Sequence, residues 1–167
     1  PGAIDVNIMT KLDRANFTKS GEQLPQDMND AHAALRGFAK SDLNSGVVLS
    51  AGLSPRLYSY VANFDEFFPD ENEQLNKTII LKVSDYRSAL VQGKFLAKKG
   101  IWVTEYRVES GLNCGGHAFA TDGYLMGPIL EEFKQKKHEL VEEVHEILNN
   151  ALGRLGKKRL SKPLHMD

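Results

Sequence analysis

The sequence is poor in cysteine and carries almost no net charge. Its single cysteine, Cys114, excludes an internal disulfide, and no Cys/His spacing matches a structural zinc site, so we expect no metal. The net charge of −1 gives no reason to expect nucleic acid or an anionic membrane surface as a partner. No apolar run reaches membrane length, and 41% apolar with 26% charged residues is ordinary for a globular chain. We therefore predict a cytoplasmic protein.

Several nucleotide-binding and catalytic motifs are also missing. The chain contains no GxGxxG and no GxxxxGK[ST], which excludes a dinucleotide fingerprint and a P-loop. It contains no GxSxG, so there is no nucleophile elbow to support acyl transfer.

Four short runs rich in β-forming residues alternate with segments of helical spacing. We predict strands near 3–10, 46–52, 77–84 and 101–109, with a long helix near 128–152. Little polar alternation within the strands indicates that both of their faces are covered. The order β-α-β-α-β-α-β-α therefore predicts an α/β fold with a parallel sheet.

Each β/α unit has the length found in doubly wound sheets and in (β/α)8 barrels. Four units make about half of a TIM-type barrel, so we predict one partial barrel domain over 1–167. The chain opens at Pro1, and an apolar pattern restarts in KPLHMD, so we expect a segment of a longer protein. Two unpaired sheet edges would favour self-association, which leaves a homo-oligomer open.

Two details of the helices can be predicted from local chemistry. Asp27 is a candidate N-cap for the helix that carries Leu35 and Phe38 at helical spacing. In the last helix, His138 and His145 are expected on or beside the solvated face rather than as ligands.

Ligands bind at the carboxyl ends of parallel strands, so the polar residues at those ends are the candidates for a site. Asn7 ends the first strand, Ser50 the second and Lys82 the third, while Glu109 closes the fourth. Strand ends are often polar without being functional. Position alone therefore does not decide between a ligand-binding site and ordinary polar strand ends.

The stretch GLNCGGHAFATDG, 111–123, follows the fourth strand directly. Gly115 and Gly116 would let backbone amides approach a planar or phosphorylated ligand closely. His117 is a candidate general base because its ordinary pKa is close to neutral, and the alternative is a loop histidine with only a local hydrogen bond. Cys114 with His117 could also be read as a nucleophile and its base, although a small buried thiol is the alternative.

These residues give the sequence a family resemblance. VNIM (6–9), VVLSAGLSPR (47–56), ILKVSDYRSALVQGKFLAKKG (80–100) and WVTEYRVESGLNCGGH (102–117) resemble, in this order, motifs of the nitronate monooxygenase family. That family, formerly called 2-nitropropane dioxygenase, consists of FMN-dependent TIM barrels. Cys114 stands where the family usually has alanine.

The resemblance implies an FMN-dependent oxidoreductase that acts on a small-molecule carbon acid. It implies that His117 is the catalytic base and that Gly115 and Gly116 lie against the flavin. Asn7 and Lys82 would contact the FMN. Ser50, Glu109 and Cys114 would line the substrate pocket.

Two other readings stay open from the sequence. The chain could be an inactive structural or interaction segment of a larger barrel enzyme. It could also be a cofactor-free hydrolase that uses Cys114 and His117.

Overall fold

A computed structural model describes residues 4–7, 14–50, 55–109 and 126–167. The prediction of an α/β fold with a parallel sheet is confirmed. One four-stranded sheet is formed by β1 (Val6–Asn7), β2 (Gly46–Leu49), β3 (Thr78–Val83) and β4 (Val103–Val108). Each described strand lies within the range expected from the sequence.

The strands are arranged in the sheet in the order in which they follow each other along the chain, β1-β2-β3-β4, and every neighbouring pair is parallel. Asn7 lies opposite Val48, Val48 opposite Ile80, and Ile80 opposite Glu105. The register shifts between β3 and β4, where Ile79 pairs with Val103 but the next residue, Ile80, pairs with Glu105. Thr104 is therefore one extra residue on β4.

The described part of the chain has four α-helices beside the sheet: α1 (Asp30–Ala39), α2 (Pro55–Val61), α3 (Tyr86–Ala97) and α4 (Met126–Arg154). Short 3-10 turns cover Gln26–Met28 and Asp65–Phe67. The expected cap at Asp27 is wrong. Asn29 caps α1 instead, because its side-chain oxygen accepts the backbone N–H of His32 at 2.9 Å, while Asp27 lies in the preceding 3-10 turn.

The hydrophobic core lies between the helices and one face of the sheet. Val47, Leu81 and Val103 contribute from the strands. Each of the four described helices adds a fully buried leucine, namely Leu35, Leu57, Leu96 and Leu148. Burying one such side chain stabilises the fold by about 1.5–3 kcal/mol before the entropic cost of ordering is counted.

The opposite face of the sheet carries a different set of side chains. Because side chains alternate along a strand, the register places Asn7, Val48, Ile80, Lys82, Glu105 and Arg107 together on that face. Asp5, immediately before β1, joins them through an ion pair with Arg107. We call these seven residues the concave face of the sheet, because the contact between Asp5 and Arg107 requires the sheet to curve towards this side.

The C-terminal residues pack against the sheet rather than extending away from it. The indole N–H of Trp102 donates to the carbonyl of His165 at 2.8 Å, and Met166 is buried. Asp167 donates its N–H to the carbonyl of Thr104 at 2.9 Å and accepts the N–H of Tyr106 at 2.6 Å. This is a parallel bridge on the outer side of β4, so the expectation of an unpaired edge there is wrong at these positions.

The long helix α4 is amphipathic and charged on its outer side. His138 is exposed and His145 is partly exposed, as expected, and Nε2 of His145 accepts a hydrogen bond from the side-chain amide of Asn149 at 3.3 Å. Within the described ranges, no helix has both the length and the apolar character required to cross a lipid bilayer.

Candidate functional site

Lys82 and Glu109 form an ion pair at the carboxyl ends of β3 and β4. The Nζ of Lys82 lies 3.1 Å from Oε2 of Glu109, and the backbone N–H of Glu109 donates to the carbonyl of Val83 at 2.8 Å. The two side chains are 25% and 33% exposed, so they are accessible to a ligand while partly screened from water. The structure thus brings together two of the residues selected from the sequence.

The extra residue in β4 decides which side chains reach this site. If β4 alternated regularly from Val103, Glu105 and Arg107 would point into the helix-packed core. Thr104, whose hydroxyl donates to the carbonyl of Ile79 at 3.0 Å, shifts the alternation by one. As a result Tyr106 joins the core, and the charged residues of β4 lie on the concave face.

Arg107 is bonded to two carboxylates on this face. Its Nη2 lies 2.8 Å from Oδ2 of Asp5, and its Nε donates to Glu105. These hydrogen bonds, to Glu105 first and then to Asp5, raise the pKa of Arg107 above its ordinary value. None of the three side chains was selected from the sequence. The alternation of charged and apolar residues in EYRVE puts Glu105 and Arg107 on one face of β4, but it does not say which face, and Asp5 lies outside this motif.

The contact between Arg107 and Asp5 requires the face to curve. It joins the two outer strands, β1 and β4, across β2 and β3. In a flat sheet, three spacings of about 4.8 Å would separate these outer strands, or roughly 14 Å in all. Arg107 also lies two residues beyond Glu105, while Asp5 lies two residues before Asn7, so the contact is diagonal. Two side chains could not meet over that distance on a flat surface, so this face is concave.

Asn7 and Ser50 complete the described part of the predicted site. Asn7 is exposed at the end of β1 and lies on the concave face, in line with Val48 and Ile80. Ser50 directly follows β2, and its carbonyl oxygen lies 3.4 Å from the hydroxyl of Tyr58. All four described candidates therefore lie at one edge of the sheet, as the sequence predicted.

A hydrogen-bonded support lies beneath this edge. The hydroxyl of Tyr58 on α2 donates to Oε1 of Gln92 on α3 at 2.6 Å, and the amide of Gln92 donates to Ser88 at 3.2 Å. Burial raises the pKa of Tyr58, so its hydroxyl remains protonated and keeps donating at any physiological pH. Asp85 caps α3 by accepting the N–H of Ser88 at 2.7 Å, which fixes the turn after Lys82.

The remaining candidates of the site lie outside the described residues. These are Cys114, Gly115, Gly116 and His117, which follow Glu109 in the chain. Their assignment as nucleophile, flavin-contacting backbone and general base stays a prediction.

The described residues at this edge offer groups for polar recognition. An ammonium, a carboxylate and a primary amide along one edge of the sheet can bind a ligand that has both acceptors and donors, and the ammonium suits an anionic group. Among the described side chains, no group of three or more His, Cys, Asp or Glu is arranged to hold a metal ion.

The chain matches no protein-family model, no curated protein and no solved structure. The resemblance to nitronate monooxygenases thus rests on the motifs quoted above, and function has to be argued from the geometry of the site.

Proposed function

We propose that this protein is an FMN-dependent oxidoreductase of the nitronate monooxygenase type, acting on a small carbon acid. The main support for this proposal is the ion pair between Lys82 and Glu109, whose Nζ and Oε2 lie 3.1 Å apart. This pair lies at the carboxyl ends of two adjacent parallel strands. This is where α/β proteins bind their ligands. Asn7 lies on the same concave face at the end of β1.

The sheet supports a barrel rather than a doubly wound architecture. In a doubly wound sheet, the strand order reverses at a switch point. The four described strands follow one another without a reversal, and all the core-forming helices contribute to one face. The concave curvature required by the contact between Arg107 and Asp5 is that of a barrel wall. We therefore propose that the concave face lines the interior of a (β/α)8-type barrel.

The described residues fit FMN in their chemistry. Lys82 supplies a cation for an anionic or electron-rich part of the cofactor, and Asn7 supplies both a donor and an acceptor. Glu109, partnered by Lys82, remains at the pocket wall, where it orients the ammonium. When bound, FMN would supply a two-electron acceptor.

The proposed chemistry assigns the proton transfer to His117. A histidine near its ordinary pKa can remove a proton from a carbon next to a nitro group at neutral pH. The neighbouring Gly115 and Gly116 would leave space for close approach of the ligand to the backbone. We further propose that the protein acts in the cytoplasm.

Turnover of a nitroalkane in the presence of FMN, followed by oxygen consumption, tests this proposal. His117→Asn should lower turnover by roughly 10²–10⁴, because a positioned general base contributes that much. His138→Asn is the matched control, since His138 is 88% exposed on α4, and it should leave turnover unchanged. Equal rates in the two variants would remove His117 from the role of base.

Cys114→Ala separates the flavoenzyme from the hydrolase alternative. An FMN-dependent reaction with His117 as base should survive this substitution. Loss of an esterase activity in Cys114→Ala, with no FMN uptake by the unmodified chain, would favour the hydrolase. A chain that neither binds FMN nor turns over any substrate would favour the structural segment.

A further inference from the structure

Arg107 links β4 to the chain segment at the far edge of the sheet. Its guanidinium bonds Glu105 on its own strand and Asp5 next to β1, and Asp5 lies 102 positions earlier in the sequence. One group thus connects the two outer strands over the concave face. Neither Asp5 nor Arg107 belongs to the set assigned to substrate or cofactor above.

Among the described strands, β1 has the shortest pairing with its neighbour, so an added contact has the largest effect on its position. Its described residues are Val6 and Asn7, which pair with Val47 and Val48 of β2. Val6 is only partly buried against the core, so apolar packing holds this strand weakly. Over these described residues the ladder with β2 is short, so the position of Val6 and Asn7 is sensitive to any additional contact.

Gly46 provides the space that the link requires. A Cβ placed on Gly46 would lie 3.2 Å from Oδ1 of Asp5 and closer still to Thr78 and Ile80. Asp5 therefore lies against the backbone of β2, where a side chain at position 46 would displace it. From there its second oxygen, Oδ2, reaches Arg107 at 2.8 Å.

We propose that Arg107 is a positioning residue, which holds Asp5 and thereby fixes Asn7 at the mouth formed by Lys82 and Glu109. Asp5 and Asn7 are two positions apart on an extended chain, so their side chains share a face and move together. The consequence for ligand binding rests on the proposed function. The mechanical link between Arg107 and β1 does not.

This role predicts a local effect rather than a global one. Half-exposed ion pairs contribute little to the stability of a whole domain. The side chains of Arg107 and Asp5 are 41% and 23% exposed, so their loss should leave the helix-packed core folded. It should release Val6 and Asn7, whose described ladder with β2 is short.

Amide hydrogen exchange and the NMR signals of the Asn7 side-chain amide test the link directly in the full chain. Arg107→Gln should speed exchange in β1 by about fivefold, equivalent to roughly 1 kcal/mol of local opening, and shift the Asn7 signals. Leu81 in β3 should exchange as before. Arg87→Gln, on the exposed side of α3, is the control and should change neither readout.

A second single variant and the double variant show whether the effect comes from the contact between Arg107 and Asp5. Asp5→Asn should reproduce the effect of Arg107→Gln, and the combination should exceed neither, because both remove one shared contact. Arg107→Lys, which keeps the charge but loses the forked geometry, should give an intermediate exchange rate. Unchanged β1 exchange in Arg107→Gln, or effects of the two single variants that simply add, would overturn the proposal.

FMN titration, followed by flavin fluorescence, tests the functional consequence separately. Arg107→Gln should weaken FMN binding about three- to fivefold, in proportion to the released β1. If the unmodified chain takes up no FMN, the proposed function fails, while the exchange experiment still decides whether Arg107 holds β1. If FMN binds and Arg107→Gln binds it equally well, the positioning role fails and the proposed function stands.

Discussion

The Nζ of Lys82 and Oε2 of Glu109 lie 3.1 Å apart, although the two residues stand on different strands and 27 positions apart in the sequence. The parallel pairing of β3 with β4 produces this contact, since it aligns Lys82 with Arg107 and leaves Glu109 one step beyond the end of β4. Both charges are partly exposed, so a ligand can reach them.

Lys82→Met should lower FMN affinity by about tenfold, because a hydrogen bond to a charged group contributes about 1.5 kcal/mol or more. Its effect on the free energy of unfolding should stay below about 1 kcal/mol, since the ion pair is partly solvated. Lys134→Met is the matched control: Lys134 is 79% exposed and forms its ion pair with Glu131 on α4. Isothermal titration of FMN into each variant gives the comparison. Equal losses in both variants would exclude Lys82 from the site.

Gly93→Ala should destabilise the fold, although alanine is the better helix former. A Cβ on Gly93 would overlap the hydroxyl of Tyr106, so the cost of overpacking, about 1–3 kcal/mol, should exceed the gain of about 1 kcal/mol in helix propensity. Gly37→Ala on α1, where a Cβ meets no atom within 4 Å, should stabilise the protein instead. Urea unfolding measures both.

Tyr106→Phe should rescue Gly93→Ala. The Tyr106 hydroxyl is buried and lacks a hydrogen-bond partner among the described residues, so its removal costs little and clears the overlap. A double variant as unstable as Gly93→Ala alone would show that the close approach at α3 and β4 is not the cause.

The contact between Glu73 and Ser161 should be lost in acid. Hydrogen bonds from the hydroxyl and N–H of Ser161, at 2.8 and 3.1 Å, hold the pKa of Glu73 below its ordinary value of 4.5. Because the folded pKa is lowered, this stabilisation is present above pH 4.5 and disappears as the pH falls through the folded value. The amide signal of Ser161 should therefore titrate with a midpoint below 4.5.

Glu73→Gln is the control for this titration, since it removes the ionisable group, and the acid-induced change at Ser161 should vanish. A midpoint at or above 4.5 in the unmodified protein would contradict the hydrogen-bonded arrangement.

The apolar strands could be predicted from the sequence because their burial depends on local composition. Runs such as TIILKV and GVVL are too apolar to be exposed and too short for helices of the usual length. Parallel pairing followed from the intervening helices, and the carboxyl-edge position of Asn7, Ser50, Lys82 and Glu109 followed from that pairing.

The charged network of the concave face could not be predicted, because it depends on a single extra residue. A regular alternation read from Val103 assigns Glu105 and Arg107 to the core side, and only the register shift at Thr104 reverses this. The contact of Arg107 with Asp5 also depends on sheet curvature, which no local pattern encodes. The start of α1 was missed because Asp27 and Asn29 are both good caps, and only Asn29 accepts the N–H of His32.

Chemical-shift mapping of FMN binding in the full chain tests the central claim most directly. The account predicts saturable shifts at Asn7, Lys82 and Glu109, at the carboxyl ends of the strands, with none at Thr78 and Val103, which begin β3 and β4. Shifts confined to the beginnings of the strands, or no shifts at millimolar FMN, would contradict it.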